Sequence, residues 1–179
     1  MKYLFLDIDG VLNTGCYQDL LMKSEQDIID EDGALFDPIA IENLKYIVEK
    51  TSAKIVLTST WRMDGIEAMR EMWERRRMPS YIYGITPHSI TRFADIDTHN
   101  EWSKHAIGSR GMEVNEWLQR NSKGTNAYAI IDDEDDFLLF QAKHVALTNP
   151  YDGLTKEIAD MVIQILLATD NSVRKGIII

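Results

Sequence analysis

Four short apolar runs punctuate the chain at residues 2–6, 54–57, 127–131 and 144–147. None shows the polar alternation of a half-exposed sheet, so they read as strands buried on both faces, the habit of parallel sheets. Between them the apolar spacing lengthens to the helical period. Asp37-Pro38 offers an N-cap followed by proline in the first turn, and Ile41, Leu44, Ile47 and Val48 then line one stripe. Asp64 to Glu67 is a capping pair for a second helix reaching about residue 78. Val114, Trp117 and Leu118 mark a third, and Leu154, Ile158, Val162, Ile165 and Leu166 a fourth. Strands alternating with helices predict a three-layer α/β/α sandwich around a Rossmann-like parallel sheet.

Two stretches break the alternation. Residues 13–36 turn polar and acidic, and residues 79–110 carry two prolines, three histidines and scattered aromatics. Each is too short for a domain of its own, so the 179 residues are expected to form one domain, 1–179, with small insertions over one end of the sheet. Nineteen basic residues against 29 acidic ones leave a net charge of −10, which argues against general coating of nucleic acid but not against a local site for one phosphorylated end. A lone cysteine, Cys16, points to a reducing, cytoplasmic setting and to no internal disulfide. No run reaches the roughly 20 apolar residues of a membrane span, and the run before Asp7 is too short for a secretory leader.

Chemistry gathers where the strands end. The first runs into Asp7-Ile8-Asp9-Gly10, and the third into Asp132-Asp133-Glu134-Asp135-Asp136. Carboxylates directly behind buried strands are costly to desolvate without compensation. In a parallel sheet both ends point the same way, so the two acidic groups can converge, and a divalent cation is the simplest counter-charge. Oxygen-only ligands favour Mg²⁺. Asp135 and Asp136 also suit a solvated helix start. A further strand ends at Thr58-Ser59-Thr60-Trp61-Arg62, whose hydroxyls, amides and guanidinium suit a phosphate; the plainer reading is an N-cap and a surface arginine.

The string Leu4-Phe5-Leu6-Asp7-Ile8-Asp9-Gly10-Val11-Leu12 resembles the nucleophile motif of the haloacid dehalogenase (HAD) superfamily of phosphohydrolases. Val56-Leu57-Thr58-Ser59 resembles its second motif and Ile130-Ile131-Asp132-Asp133 its fourth. Ser59-Thr60-Trp61-Arg62 and Thr148-Asn149-Pro150-Tyr151-Asp152-Gly153-Leu154-Thr155 are similar to the HAD-type domain of RNA-repair proteins, and more distantly to the phosphatase half of polynucleotide kinase-phosphatases. The resemblance implies a Mg²⁺-dependent phosphatase in which Asp7 is the nucleophile that becomes an aspartyl-phosphate and Asp9 the general acid and base. It implies Ser59 as phosphoryl ligand, with Thr58 as the register-shifted alternative; Arg62 as a substrate contact rests on its own place behind a strand end, between the two acidic motifs. Asp7 and Asp133 would hold Mg²⁺, with Asp132 assisting and the Asp9 backbone carbonyl facing the ion. The superfamily's lysine has no direct counterpart; Arg110 in Ser109-Arg110-Gly111 takes its place, with Lys104 as the competitor.

The resemblance argues for a phosphorylated polynucleotide end as substrate and the net acidity argues mildly against a long nucleic acid, so a polynucleotide end, a nucleotide and a phosphoprotein all stay open. A nucleotide-directed phosphatase is the alternative enzyme, and a non-catalytic binding or regulatory module on the same fold the alternative from another class. The oligomeric state is left open. Of the remaining residues, His88, His99 and His105 match no compact zinc pattern, although His88 is a possible substrate contact. Glu74-Arg75-Arg76-Arg77 reads as a dipole-complementing helix end or, alternatively, an RNA contact. Trp73, Trp102 and Trp117 read as packing.

Overall fold

A computed structural model describes residues 1–88, 109–122 and 126–174. The elements run β1 (Lys2–Leu6), α1 (Gly15–Lys23), β2 (Ile29–Asp30), β3 (Gly33–Ala34), α2 (Pro38–Thr51), β4 (Lys54–Leu57), a 3₁₀ turn (Thr60–Asp64) and α3 (Gly65–Arg75). They continue with β5 (Ile82–Ile85), α4 (Ser109–Asn121), β6 (Ala127–Asp132), a second 3₁₀ turn (Leu139–His144), β7 (Val145–Leu147) and α5 (Lys156–Arg174).

The main sheet is parallel, in the order β5-β4-β1-β6-β7, with β1 central. Alternation along β1 separates two cores. Leu4 and Leu6 face one layer, where Leu44 and Ile47 of α2 pack with Val162 and Leu166 of α5. Tyr3 and Phe5 face the other, against Val114 and Trp117 of α4. Trp117 meets Tyr3 and Phe5 edge-on at centroid distances of 4.9 and 5.4 Å. Helices on both faces of a parallel sheet realise the α/β/α expectation. Among the described residues, no helix is long and apolar enough to cross a membrane.

Several local signals act as anticipated. Asp37 caps α2 by accepting from Ile39 N–H at 2.8 Å, with Pro38 opening the helix. Trp73 and Trp117 are buried. Other features differ. Asp64 makes no side-chain cap, and α3 ends at Arg75. β5 lies inside the stretch read as an insertion, because Ile82-Tyr83-Gly84-Ile85 is too short to declare a period yet completes the sheet edge. The 13–36 stretch holds α1 and the antiparallel hairpin β2–β3.

Candidate active site

The carboxyl ends of β1, β4 and β6 share one edge because the three strands pair in parallel, Leu6 standing between Leu57 and Ile131. The chain therefore leaves all three strands at the same level. Asp7 N–H donates to the Ile131 carbonyl and Thr58 N–H to that of Leu6, prolonging the ladder past the strand ends. Asp7, Asp132 and Asp133 each turn a carboxylate oxygen into one cluster, all within 4.8 Å of one another. Asp7 is 4% exposed and Asp132 not exposed at all. Gly10, at φ +65°, makes the approach possible: a Cβ there would lie 2.5 Å from Asp133 Oδ2.

Among the described residues, Arg110, at the start of α4, is the cation that pairs directly with this cluster. Its Nη1 donates to Asp7 Oδ1 and to the Thr58 carbonyl, both at 2.8 Å, and stands 3.5 Å from Asp132 Oδ2. Asp136 accepts from the Arg110 backbone N–H at 3.2 Å. Gln141, fully buried, donates to the Gly111 carbonyl at 3.0 Å, which fixes the first turn of α4. Burial pushes the Asp7 carboxyl above its usual range although Arg110 pulls it down. Burial likewise raises Asp132, to about 8, against the pull of Arg110 and with the help of Asp7. Burial opposes the charge of Arg110, yet Asp132 and Asp7 hold its pKa above the ordinary value. Asp132 Oδ2, although 3.5 Å from Arg110 Nη1, has no hydrogen-bond partner. An all-oxygen donor set with a buried orphan fits a hard divalent cation such as Mg²⁺.

Asp9 stands apart from the cluster. Its exposed carboxylate accepts from Asn13 Nδ2 at 2.7 Å and from Trp61 Nε1 at 3.0 and 3.2 Å. The Ser59 hydroxyl caps the first 3₁₀ turn, accepting from Trp61 N–H at 3.4 Å, whereas the buried Thr58 Oγ1 has no partner.

Arg62 is not the surface arginine of the plainer reading: its side chain turns inward, 5% exposed. Nε donates to the Thr86 carbonyl at 3.1 Å, Nη1 to the Thr58 and Ser59 carbonyls, and Nη2 to Glu113 at 2.5 Å. Four of its five donors are thus spent on the scaffold. Burial lowers its pKa, and Glu113 offsets part of that. The tight 3₁₀ turn after Ser59 redirects the side chain, a change of direction that motif spacing does not reveal. Lys104, His99, His105 and Trp102 lie outside the described residues.

Sequence reasoning also missed how the site is braced. Thr148 Oγ1 donates to the Gly10 carbonyl at 2.9 Å, and Leu154 N–H to that of Val11 at 2.9 Å. Gly153, at φ +65°, lies so close that a Cβ would sit 2.2 Å from Thr14 Cγ2. The 148–155 string thus buttresses the loop that carries Asp7 and Asp9. Arg75 and Arg76 pair with Asp32 and Asp30 of the β2–β3 hairpin, so two of the three arginines in the basic run serve an internal latch.

Residues 3–159 match the family model described as the HAD domain in Swiss Army Knife RNA repair proteins. No curated protein matches the chain.

Proposed function

The chain belongs to the family of HAD domains in Swiss Army Knife RNA repair proteins, and from that premise we propose a Mg²⁺-dependent phosphomonoester hydrolase that acts on phosphorylated polynucleotide ends through an aspartyl-phosphate. The observation that carries this reading is the meeting of Asp7, Asp132 and Asp133 within 4.8 Å, with Arg110 seated on Asp7. Because the site draws on β1, β4, α4 and β6, we also treat 1–179 as one domain.

In the proposed first step an Asp7 carboxylate oxygen attacks phosphorus while the ester P–O bond breaks. The electron pair leaves on the ester oxygen, which takes the proton of Asp9. In the second step the Asp9 carboxylate removes a proton from water as the water oxygen attacks the same phosphorus. The bond to Asp7 breaks, inorganic phosphate departs, and both acids return to their starting forms. Arg110 keeps Asp7 oriented and offsets charge on the phosphoryl oxygens. Ser59 or Thr58 binds the phosphoryl group: the Ser59 hydroxyl only accepts in its cap and keeps its O–H to donate, and the Thr58 hydroxyl is unpartnered. Asp7, Asp132 and Asp133 would hold Mg²⁺, with the Asp9 carbonyl as a further ligand, and the ion would supply neutralisation of charge on phosphate.

The polynucleotide end rests on the family description. Phosphate release from 3′- and 5′-phosphorylated oligonucleotides, mononucleotides and sugar phosphates, with Mg²⁺ or with EDTA, tests both parts. Mg²⁺-dependent release, fastest from one oligonucleotide end, is expected. No Mg²⁺-dependent release from any ester would reject the hydrolase, and faster release from mononucleotides would reject the substrate class.

A further inference from the structure

Beyond the acids themselves, the structure singles out the tryptophan beside Asp9. The indole N–H of Trp61 reaches both carboxylate oxygens, at 3.0 and 3.2 Å, so it restrains the plane of the group and not merely one atom. Asn13 holds Oδ1 from a second direction at 2.7 Å, and is itself fixed by accepting from Gly10 N–H at 3.0 Å. The far edge of the indole is boxed in by the β2–β3 hairpin and its neighbours. Gly33, at φ +109°, lies so close that a Cβ would stand 2.9 Å from Trp61 Cη2. Phe36 packs against the ring at 5.7 Å between centroids, and the Arg76 guanidinium lies 5.6 Å from the indole and 4.2 Å from Phe36. Arg76 in turn donates to the Ala34 carbonyl at 2.8 Å and pairs with Asp30. An unbroken set of contacts runs from the hairpin through one ring to one carboxylate.

We propose that Trp61 is a positioning residue that aims the Asp9 carboxylate at the ester oxygen of a bound phosphomonoester, and that the β2–β3 hairpin clamps the ring for this purpose. The inference rests on the reading of Asp9 as the acid that protonates the leaving oxygen. It explains why a tryptophan stands here: phenylalanine, one ring smaller, would neither reach Gly33 nor offer an N–H.

Leaving groups separate this role from a structural one. An alkoxide needs a proton as its P–O bond breaks, whereas p-nitrophenolate departs without one. In Trp61→Phe, kcat/KM, which reports transfer to Asp7 and not hydrolysis of the common aspartyl-phosphate, should fall about 10- to 100-fold for an alkyl phosphate such as phenethyl phosphate, the scale of a lost hydrogen bond to a charged group. For p-nitrophenyl phosphate kcat/KM should change less than about threefold. Asp9→Asn should show the same selectivity, more strongly. Equal loss of kcat/KM on both esters, or no change in either, in Trp61→Phe would overturn the proposal while Asp9→Asn remains selective. Absence of selectivity in Asp9→Asn, or of turnover in the wild-type protein, would instead bring down the reading of Asp9 and the inference with it. If Trp61→Phe fails to fold, the assigned indole N–H resonance of Trp61 decides: Asp9→Ala should move it upfield, and an unmoved signal overturns the contact.

Discussion

The two sides of the site are held by different forces. On the β6 and α4 side, Asp7 and Asp132 are buried around Arg110, with contacts of 2.8 and 3.5 Å. On the β4 and hairpin side, the exposed Asp9 is held by two neutral donors, Trp61 and Asn13. Two carboxylates two residues apart in sequence thus occupy opposite environments. A dry, ionic setting suits a group that must carry charge toward phosphorus and share a cation. A wet, neutral one orients a carboxylate without lending it a permanent counter-charge. Divergent surroundings for paired acids are how one site supports two roles.

The contrast is broken most severely at Asp7. Asp7→Asn should lower turnover by roughly 10³-fold or more, as loss of a nucleophile does, while circular dichroism remains that of the wild type. Retained activity would remove Asp7 from the reaction. Next comes the ionic side as a unit. Arg110→Ala should slow turnover by about 10²- to 10³-fold, with Arg110→Lys recovering part of the loss in steady-state assays.

The buried Arg62–Glu113 pair, its side chains 4% and 7% exposed, separates scaffold from chemistry. Arg62→Ala should cost about 3–5 kcal/mol in denaturant unfolding, because it leaves Glu113 buried without its cation. Replacing both residues by apolar ones of similar volume should recover much of that stability. A full-strength kinetic defect in a stable double variant would return Arg62 to the substrate.

The smallest effect concerns pH. Burial raises Asp132 to about 8, so between the ordinary aspartate pKa of 3.8 and that value the folded chain binds a proton that the unfolded chain has released. Its contribution to stability is therefore fully present below about pH 4 and falls as the pH rises toward 8. A cation that replaces the proton acts where the proton is lost. Saturating Mg²⁺ should raise Tm by about 5–10 °C near pH 8.5, and by less at pH 5, in scanning calorimetry. Equal shifts at both pH values would contradict the sign.

Sequence disclosed the strands that carry the acids, because fully buried parallel strands are continuous apolar runs, as at 2–6 and 54–57. It also disclosed Asp7 and Asp133, since a motif directly behind such a strand inherits its position. β5 stayed hidden because four residues interrupted by Gly84 show no period. The burial of Arg62 stayed hidden because a side chain after a strand end can turn either way, and a 3₁₀ turn turned this one inward. The work of Trp61 was invisible for a related reason. Its partners, Asp9 and Gly33, lie 52 and 28 residues away, and nothing in local spacing links them.

Calorimetric titration with Mg²⁺ asks whether acids carried by two strands share one divalent ion. One ion per chain should bind to the wild-type protein, and binding should weaken at least tenfold in both Asp132→Asn and Asp133→Asn. Binding of wild-type strength in both variants, or none in the wild-type protein, would contradict the account.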